Sequence, residues 1–259
     1  LEVEGAAYAT IIAKTMEMLF LIGYTIKDKP EFISCSVYKR IDWALFGRIL
    51  KKGSLLIISQ MMWVLSESFT AAIYNGRGNA AVVSGMAASF SIANLFFISF
   101  DGITTATGVL IGKSLGNNKL DYAKKEKTWM LSAAVMFGCA MCLIGVITVL
   151  LVPVVFGNLS MDAQNICRAM LLMMAFFMPL WTYVNTQLAV CRAGGDTRVG
   201  FLVDGGATAA MVPLLLIMAF FTSASPITMY FAVKVLDVGK IMVANHELKK
   251  ERWVVNLSN

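Results

Sequence analysis

Long apolar runs, each broken by a short polar stretch, repeat along the whole chain. Seven stand out, at positions 6–24, 50–74, 80–111, 128–156, 166–191, 199–221 and 226–244. Each approaches or exceeds the about 20 apolar residues that a helix needs to cross a bilayer. All are far longer than the roughly 10-residue alternating strands of a membrane barrel. Inside lipid the backbone must satisfy its own hydrogen bonds, which helices do within one segment. The pattern predicts an all-α polytopic membrane protein with about seven transmembrane helices.

Composition agrees with the pattern. The chain is 58% hydrophobic and 15% charged, with a mean hydropathy of +0.71, whereas a soluble domain carries about 25% charge. The net charge of +6 would suit nucleic acid in a soluble protein. Here the basic residues gather between the apolar runs, so membrane topology accounts for them and no nucleic-acid partner is expected. The stretch after the first run holds Lys27, Lys29, Lys39, Arg40, Arg48, Lys51 and Lys52, and the next holds Arg77 alone. Lys113, Lys119, Lys124, Lys125 and Lys127 follow the third run, and Arg168 the fourth. Arg192 and Arg198 follow the fifth, nothing charged the sixth, and Lys249, Lys250 and Arg252 the seventh. Rich and poor loops alternate, and positive loops stay in the cytoplasm. The alternation predicts a cytoplasmic C-terminus with Leu1 on the outside. Positions 27–52 mix Phe32, Tyr38, Trp43 and Phe46 with basic residues, which suits an amphipathic surface helix linking two bundles. Asn117-Asn118 reads as a turn before a charged helix start.

Polar residues inside a span are costly and point to function. Glu67 sits midway along its run and is a candidate for binding a coupling cation or proton. Asp101 and Asp204 are the other ion-coupling candidates. Asp101 either faces a central cavity or, with Gly102, caps a helix break. Asp204 either lines the cavity or pairs near the cytoplasmic surface. Gln60, Asn94, Asn185 and Gln187 are candidates for hydrogen-bonding a substrate, although such residues also join helices to each other. Lys14 with Glu17, and Lys234 with Asp237, are spaced three apart and read as ion pairs on one helix face. Pro153, Pro179 and Pro213 fall inside spans, where they kink helices. Met61, Met62, Met86, Met170, Met173, Met174 and Met178 suit either an adaptable drug surface or core filling.

Several chemistries find no support. Cys139 and Cys142 form a C-x-x-C spacing within an apolar run, without partner ligands nearby. His246 reads as a solvated residue near the C-terminus. No P-loop, nucleophile elbow or HExxH occurs. Neither an enzyme nor a cofactor is expected, and any coupling runs on an ion. The opening residues lack an initiator methionine and read as mid-chain.

Between the fifth and sixth runs lies Arg192-Ala193-Gly194-Gly195-Asp196-Thr197. Its glycines permit backbone angles that other residues resist, and Asp196 or Thr197 suits the cap of the next helix. This turn resembles the C-terminal-half turn of multidrug and toxic compound extrusion (MATE) transporters. Gly5-Ala6-Ala7-Tyr8-Ala9-Thr10 is similar to the family's first motif here. Tyr74-Asn75-Gly76-Arg77-Gly78 with Ala80-Ala81 matches its second. Gly108 to Gly116, followed by Asp121-Tyr122-Ala123-Lys124, resembles a further turn and basic helix. The ending Arg252-Trp253-Val254-Val255-Asn256-Leu257 is also similar. The family often carries an acidic residue that alignment through Trp63 places at Gln60.

The resemblance implies twelve helices in two six-helix bundles. This chain would supply the last helix of the first bundle (1–25), an amphipathic cytoplasmic linker (26–49) and the complete six-helix C-terminal bundle with its tail (50–259). It implies sodium- or proton-driven export of small organic, cationic or amphipathic compounds from a bacterial cytoplasmic membrane, with the preceding bundle and lipid as partners. A flippase of lipid-linked or polysaccharide precursors would want a more cationic cavity. A seven-helix receptor or sensor would share the topology but not the ordered motifs.

Overall fold

A computed structural model describes residues 2–28 and 42–255. Among these residues every regular element is helical. Contacts divide the chain into two units, 1–50 and 51–259.

In the first unit, α1 (Glu2–Asp28) is an unbroken helix of 27 residues. Its apolar residues from Tyr8 onward surround the axis and stay exposed, which suits a helix solvated by lipid or by other helices. Lys14 and Glu17 pair at 2.7 Å, as their spacing predicts. The pair lies on the exposed helix surface. Most of the expected amphipathic linker lies outside the described residues. Its last part belongs to α2 (Trp43–Arg77), which therefore starts earlier than the apolar run that marks it.

In the second unit, α3 (Ala80–Gly116), α4 (Leu120–Val155) and α5 (Met161–Ala193) form the packed centre. The chain then continues through a short α6 (Arg198–Gly200), a π-helical turn over Phe201–Gly205 and α7 (Gly206–Phe221). The last helix is α8 (Pro226–Lys249). Side-chain caps explain several starts. Asn79 accepts from the Val82 amide at 3.0 Å, Ser160 from Ala163 at 3.3 Å and Ser225 from Thr228 at 3.3 Å. Asn118 takes a left-handed φ of 59°, which asparagine tolerates better than most residues. That turn returns α4 onto α3, and the buried Ser114 hydroxyl donates to Glu126 at 2.5 Å across it.

Small residues let the central helices approach closely, the usual device where lipid removes any hydrophobic drive between helices. A Cβ on Gly138 of α4 would lie 2.3 Å from Thr182 Oγ1 and 2.5 Å from Pro179 Cα of α5. One on Gly85 of α3 would lie 2.5 Å from the Ala163 carbonyl oxygen. Met86, Met170, Met174 and Met178 are buried in this centre. They fill the core instead of offering an adaptable surface, while Met61 remains exposed. Pro153, Pro179 and Pro213 sit inside α4, α5 and α7, and each helix continues past its proline.

Among the described residues six helices are long and apolar enough to cross a membrane, against seven runs in the sequence. The one that falls short is α8. Its 24 residues would span about 36 Å, but Lys234, Asp237 and Lys240 interrupt its apolar surface. Those charges are turned largely inward: the side chains of Lys234 and Asp237 keep 15% and 11% of their exposure.

Candidate functional site

The inward charges of α8 meet α2 and α5. Lys234 Nζ lies 3.8 Å from Glu67 Oε1, 5.2 Å from the ring centroid of Trp181 and 5.1 Å from that of Tyr230. One turn along α8, Asp237 pairs with Lys240 at 3.2 Å and accepts the Trp181 indole N–H at 2.9 Å. The four charges thus form two neutral pairs tied together by one tryptophan. Lys234 and Asp237, which their spacing predicts as a pair, are each matched elsewhere. A lysine pointing across the bundle reaches a carboxylate on another helix, and a one-sequence spacing rule cannot see that partner.

Trp181 is fixed from several sides. Its ring stacks on Phe177 with centroids 5.9 Å apart and meets Phe97 of α3 edge-on at 5.9 Å. Tyr230 is buried and packs against Tyr74 of α2 and Phe90 of α3. The Glu67 carboxylate, its side chain 38% exposed, is linked to these aromatic faces through the Lys234 ammonium. It stands ten residues, about 15 Å along the helix, from Arg77. Arg77 in turn donates from Nη1 to the carbonyls of Met218, Ala219 and Thr222 at 2.7–2.9 Å. Those carbonyls end α7, where a cation is favoured by both hydrogen bonding and the helix dipole. The anchor sets the register of α2 against α7 and hence the depth of Glu67.

The remaining candidates scatter. Asp204 falls within the π-helical turn and accepts from the Ser59 hydroxyl at 3.1 Å. Asp101 is exposed in the middle of an unbroken α3, so no helix break needs a cap there. Gln60 and Asn94 are exposed, and no side-chain hydrogen bond joins either to the Glu67 group among the described residues. Asn185 donates back to the Trp181 carbonyl at 2.9 Å. The buried Gln187 donates to Asn245 Oδ1 at 2.5 Å, and Tyr183 donates to the same oxygen at 3.3 Å. The Gln187 and Asn245 amides join α5 to α8, whereas the Asn185 bond stays within α5. Among the described residues no group of His, Cys, Asp or Glu is arranged for a metal. Cys139 and Cys142 are free thiols, and His246 is exposed in the last turn of α8.

The Arg192–Thr197 turn is explained differently from its sequence reading. Gly195 takes a φ of 77°, where a side chain is disfavoured. Gly194 is needed for space instead: a Cβ there would lie 1.9 Å from the Trp253 carbonyl oxygen. Thr197 occupies the position before α6 without a side-chain cap, and the Asp196 amide bonds the Cys191 carbonyl at 2.9 Å. Arg192 Nε is buried and has no hydrogen-bond partner among the described residues. The buried Trp253 folds the tail back against this turn, with Lys127 over its ring at 5.9 Å and Lys124 paired to Glu251 at 2.5 Å. Glu251, outside the spans, is held below its ordinary carboxylate range by the Lys124 hydrogen bond.

The MatE family model matches residues 56–221, well over half of the chain. The chain belongs to the MatE family. It is a MATE-type membrane transporter domain, from a family of transporters and not of enzymes. No curated protein and no solved structure matches it. The matched stretch takes in Glu67, Trp181 and the glycine turn, while α8 with Lys234 and Asp237 follows it.

Proposed function

We propose that this MATE-type domain belongs to a cation-coupled antiporter that exports small organic, cationic or amphipathic compounds across the plasma membrane. The observation that supports the reading is the Glu67 carboxylate within the span of α2, 38% exposed and 3.8 Å from the Lys234 ammonium that lies over the Trp181 and Tyr230 rings. A carboxylate within a membrane span is costly and points to function, here the binding of a coupling cation. Aromatic faces beside it suit an organic cation. Export then follows from alternating access between this bundle and a second one, as in other repeat-built transporters. The alternation of basic loops supports a cytoplasmic C-terminus, which would set the Arg192–Thr197 turn and the tail on the inner face.

Anionic lipid-linked precursors fit less well. Lys234 and Lys240 are each matched by a carboxylate, so the cluster offers no surplus positive charge to a pyrophosphate.

The test is efflux of a fluorescent cationic dye from proteoliposomes holding the full-length protein, under an imposed sodium or proton gradient. Gradient-driven efflux is expected, and Glu67→Gln is expected to reduce it to the rate of empty liposomes. Full efflux in Glu67→Gln would move coupling to Asp204, Asp101 or elsewhere. No efflux under either gradient would overturn the antiport reading.

A further inference from the structure

The Lys234 ammonium already makes the contacts that a bound organic cation would make. It stands 3.8 Å from Glu67 Oε1 and within 5.2 Å of the Trp181 and Tyr230 ring centroids. A cation within about 6 Å of aromatic faces is a recognised arrangement for quaternary ammonium ligands. The neighbouring carboxylate on α8, Asp237, is engaged by Lys240 and the Trp181 N–H, so Glu67 is the counter-ion of Lys234.

The fit is loose in a telling way. At 3.8 Å the Lys234–Glu67 contact is an ion pair but longer than a hydrogen bond. Among the described residues no hydrogen bond fixes the ammonium, and its stem has four rotatable carbons. A lysine held by charge and ring faces alone can leave, and another cation can take its place. Charge balance makes the exchange obligatory. Glu67, Asp237, Lys234 and Lys240 sum to zero, so a second cation at Glu67 would leave an unbalanced charge at membrane depth, which is expensive. Moving Lys234 out as the ligand moves in keeps the Glu67 site neutral.

We propose that the Lys234 ammonium is a tethered occupant of the cation site. It holds the Glu67 carboxylate and the Trp181 and Tyr230 faces that an exported organic ammonium ion contacts, and the ion binds by displacing it. The inference rests on the antiport reading for the identity of the exported ion. Displacement lowers affinity for that ion and makes its release easier, because the tether returns to the same contacts.

The test is calorimetric binding of tetraethylammonium to the purified full-length protein and to Lys234→Met, which keeps the length of the stem and removes the charge. Lys234→Met is expected to bind about tenfold tighter, the worth of a modest competing contact. Lys234→Arg, which keeps a cation, is expected to stay near wild type. Unchanged or weaker binding by Lys234→Met, at an unchanged elution profile and melting temperature, overturns the proposal. If Lys234→Met does not fold, Lys234→Gln takes its place with the same two outcomes. Absence of binding by wild type and variant alike also overturns it. Dye efflux is read separately, so gradient-driven efflux with unaltered Lys234→Met affinity removes the tether and leaves the antiport reading standing.

Discussion

At the scale of single residues, charge and missing side chains carry most of the information. Glu67 was legible as a functional candidate because a carboxylate in a long apolar run has no inexpensive explanation. Its partner was not legible, because Lys234 stands on another helix and the nearer Asp237 satisfies the local spacing rule equally well. Gly194 was legible as a glycine that matters, but the wrong property came to the fore. Its φ of −86° is ordinary; what it lacks is the room for a Cβ beneath the Trp253 backbone. Gly194→Ala is therefore expected to push the tail away and to destabilise the bundle by about 1–3 kcal/mol, the range for overpacking. Thermal unfolding of the purified protein measures this. A melting temperature within error of wild type, with Trp253 still buried, would contradict the close-approach account.

At the scale of elements, the apolar runs located each described helix, because a lipid-facing helix writes its length directly into the sequence. The ends were less well placed where polar residues continue the helix. Thus α4 begins at Leu120, ahead of the apolar run at position 128, its first turns running through Lys124, Lys125 and Lys127 as the charged helix start after Asn117-Asn118 predicts. The π-helical turn over Phe201–Gly205 left only a faint mark, the glycines Gly200, Gly205 and Gly206 around Asp204. The tail after α8 is likewise an element that its short sequence did not reveal. Its docking should respond to acid. Glu251 is depressed in the folded state by Lys124, so its contribution is present above the unfolded carboxyl pKa and is lost as pH falls through the lower, folded one. Glu247, next to the same tail, is depressed by its hydrogen bond to Lys250 and follows the same sign. Docking is thus expected to be constant around neutrality and to weaken below the ordinary value of 4.5. Fluorine NMR of protein labelled with fluorotryptophan follows the Trp253 environment through that range. Glu251→Gln should leave the neutral-pH signal partly shifted and flatten its acid response. An identical acid response in Glu251→Gln would remove Glu251 from the account.

At the scale of the whole molecule, the sequence showed what kind of object this is, a polytopic helical transporter, and the match to the MatE family over residues 56–221 agrees. The arrangement at membrane depth is what the fold adds. Two lysines and two carboxylates, brought in by α2 and α8 and bound together through Trp181 of α5, form a neutral cluster next to aromatic faces. Gln60, Asn94 and Asp101 remain outside that cluster, because residue type alone says nothing about which face of a helix turns inward. The central claim is that a cation entering at Glu67 moves against the exported compound. Ion movement in the absence of any imposed ion gradient tests it most directly. Proteoliposomes holding the full-length protein are loaded with tetraethylammonium and diluted, and sodium and proton fluxes are recorded as the organic cation leaves. The account predicts an opposite flux of one of the two ions, abolished in Glu67→Gln. Exit of tetraethylammonium with neither ion moving, or with ion movement untouched by Glu67→Gln, would contradict it.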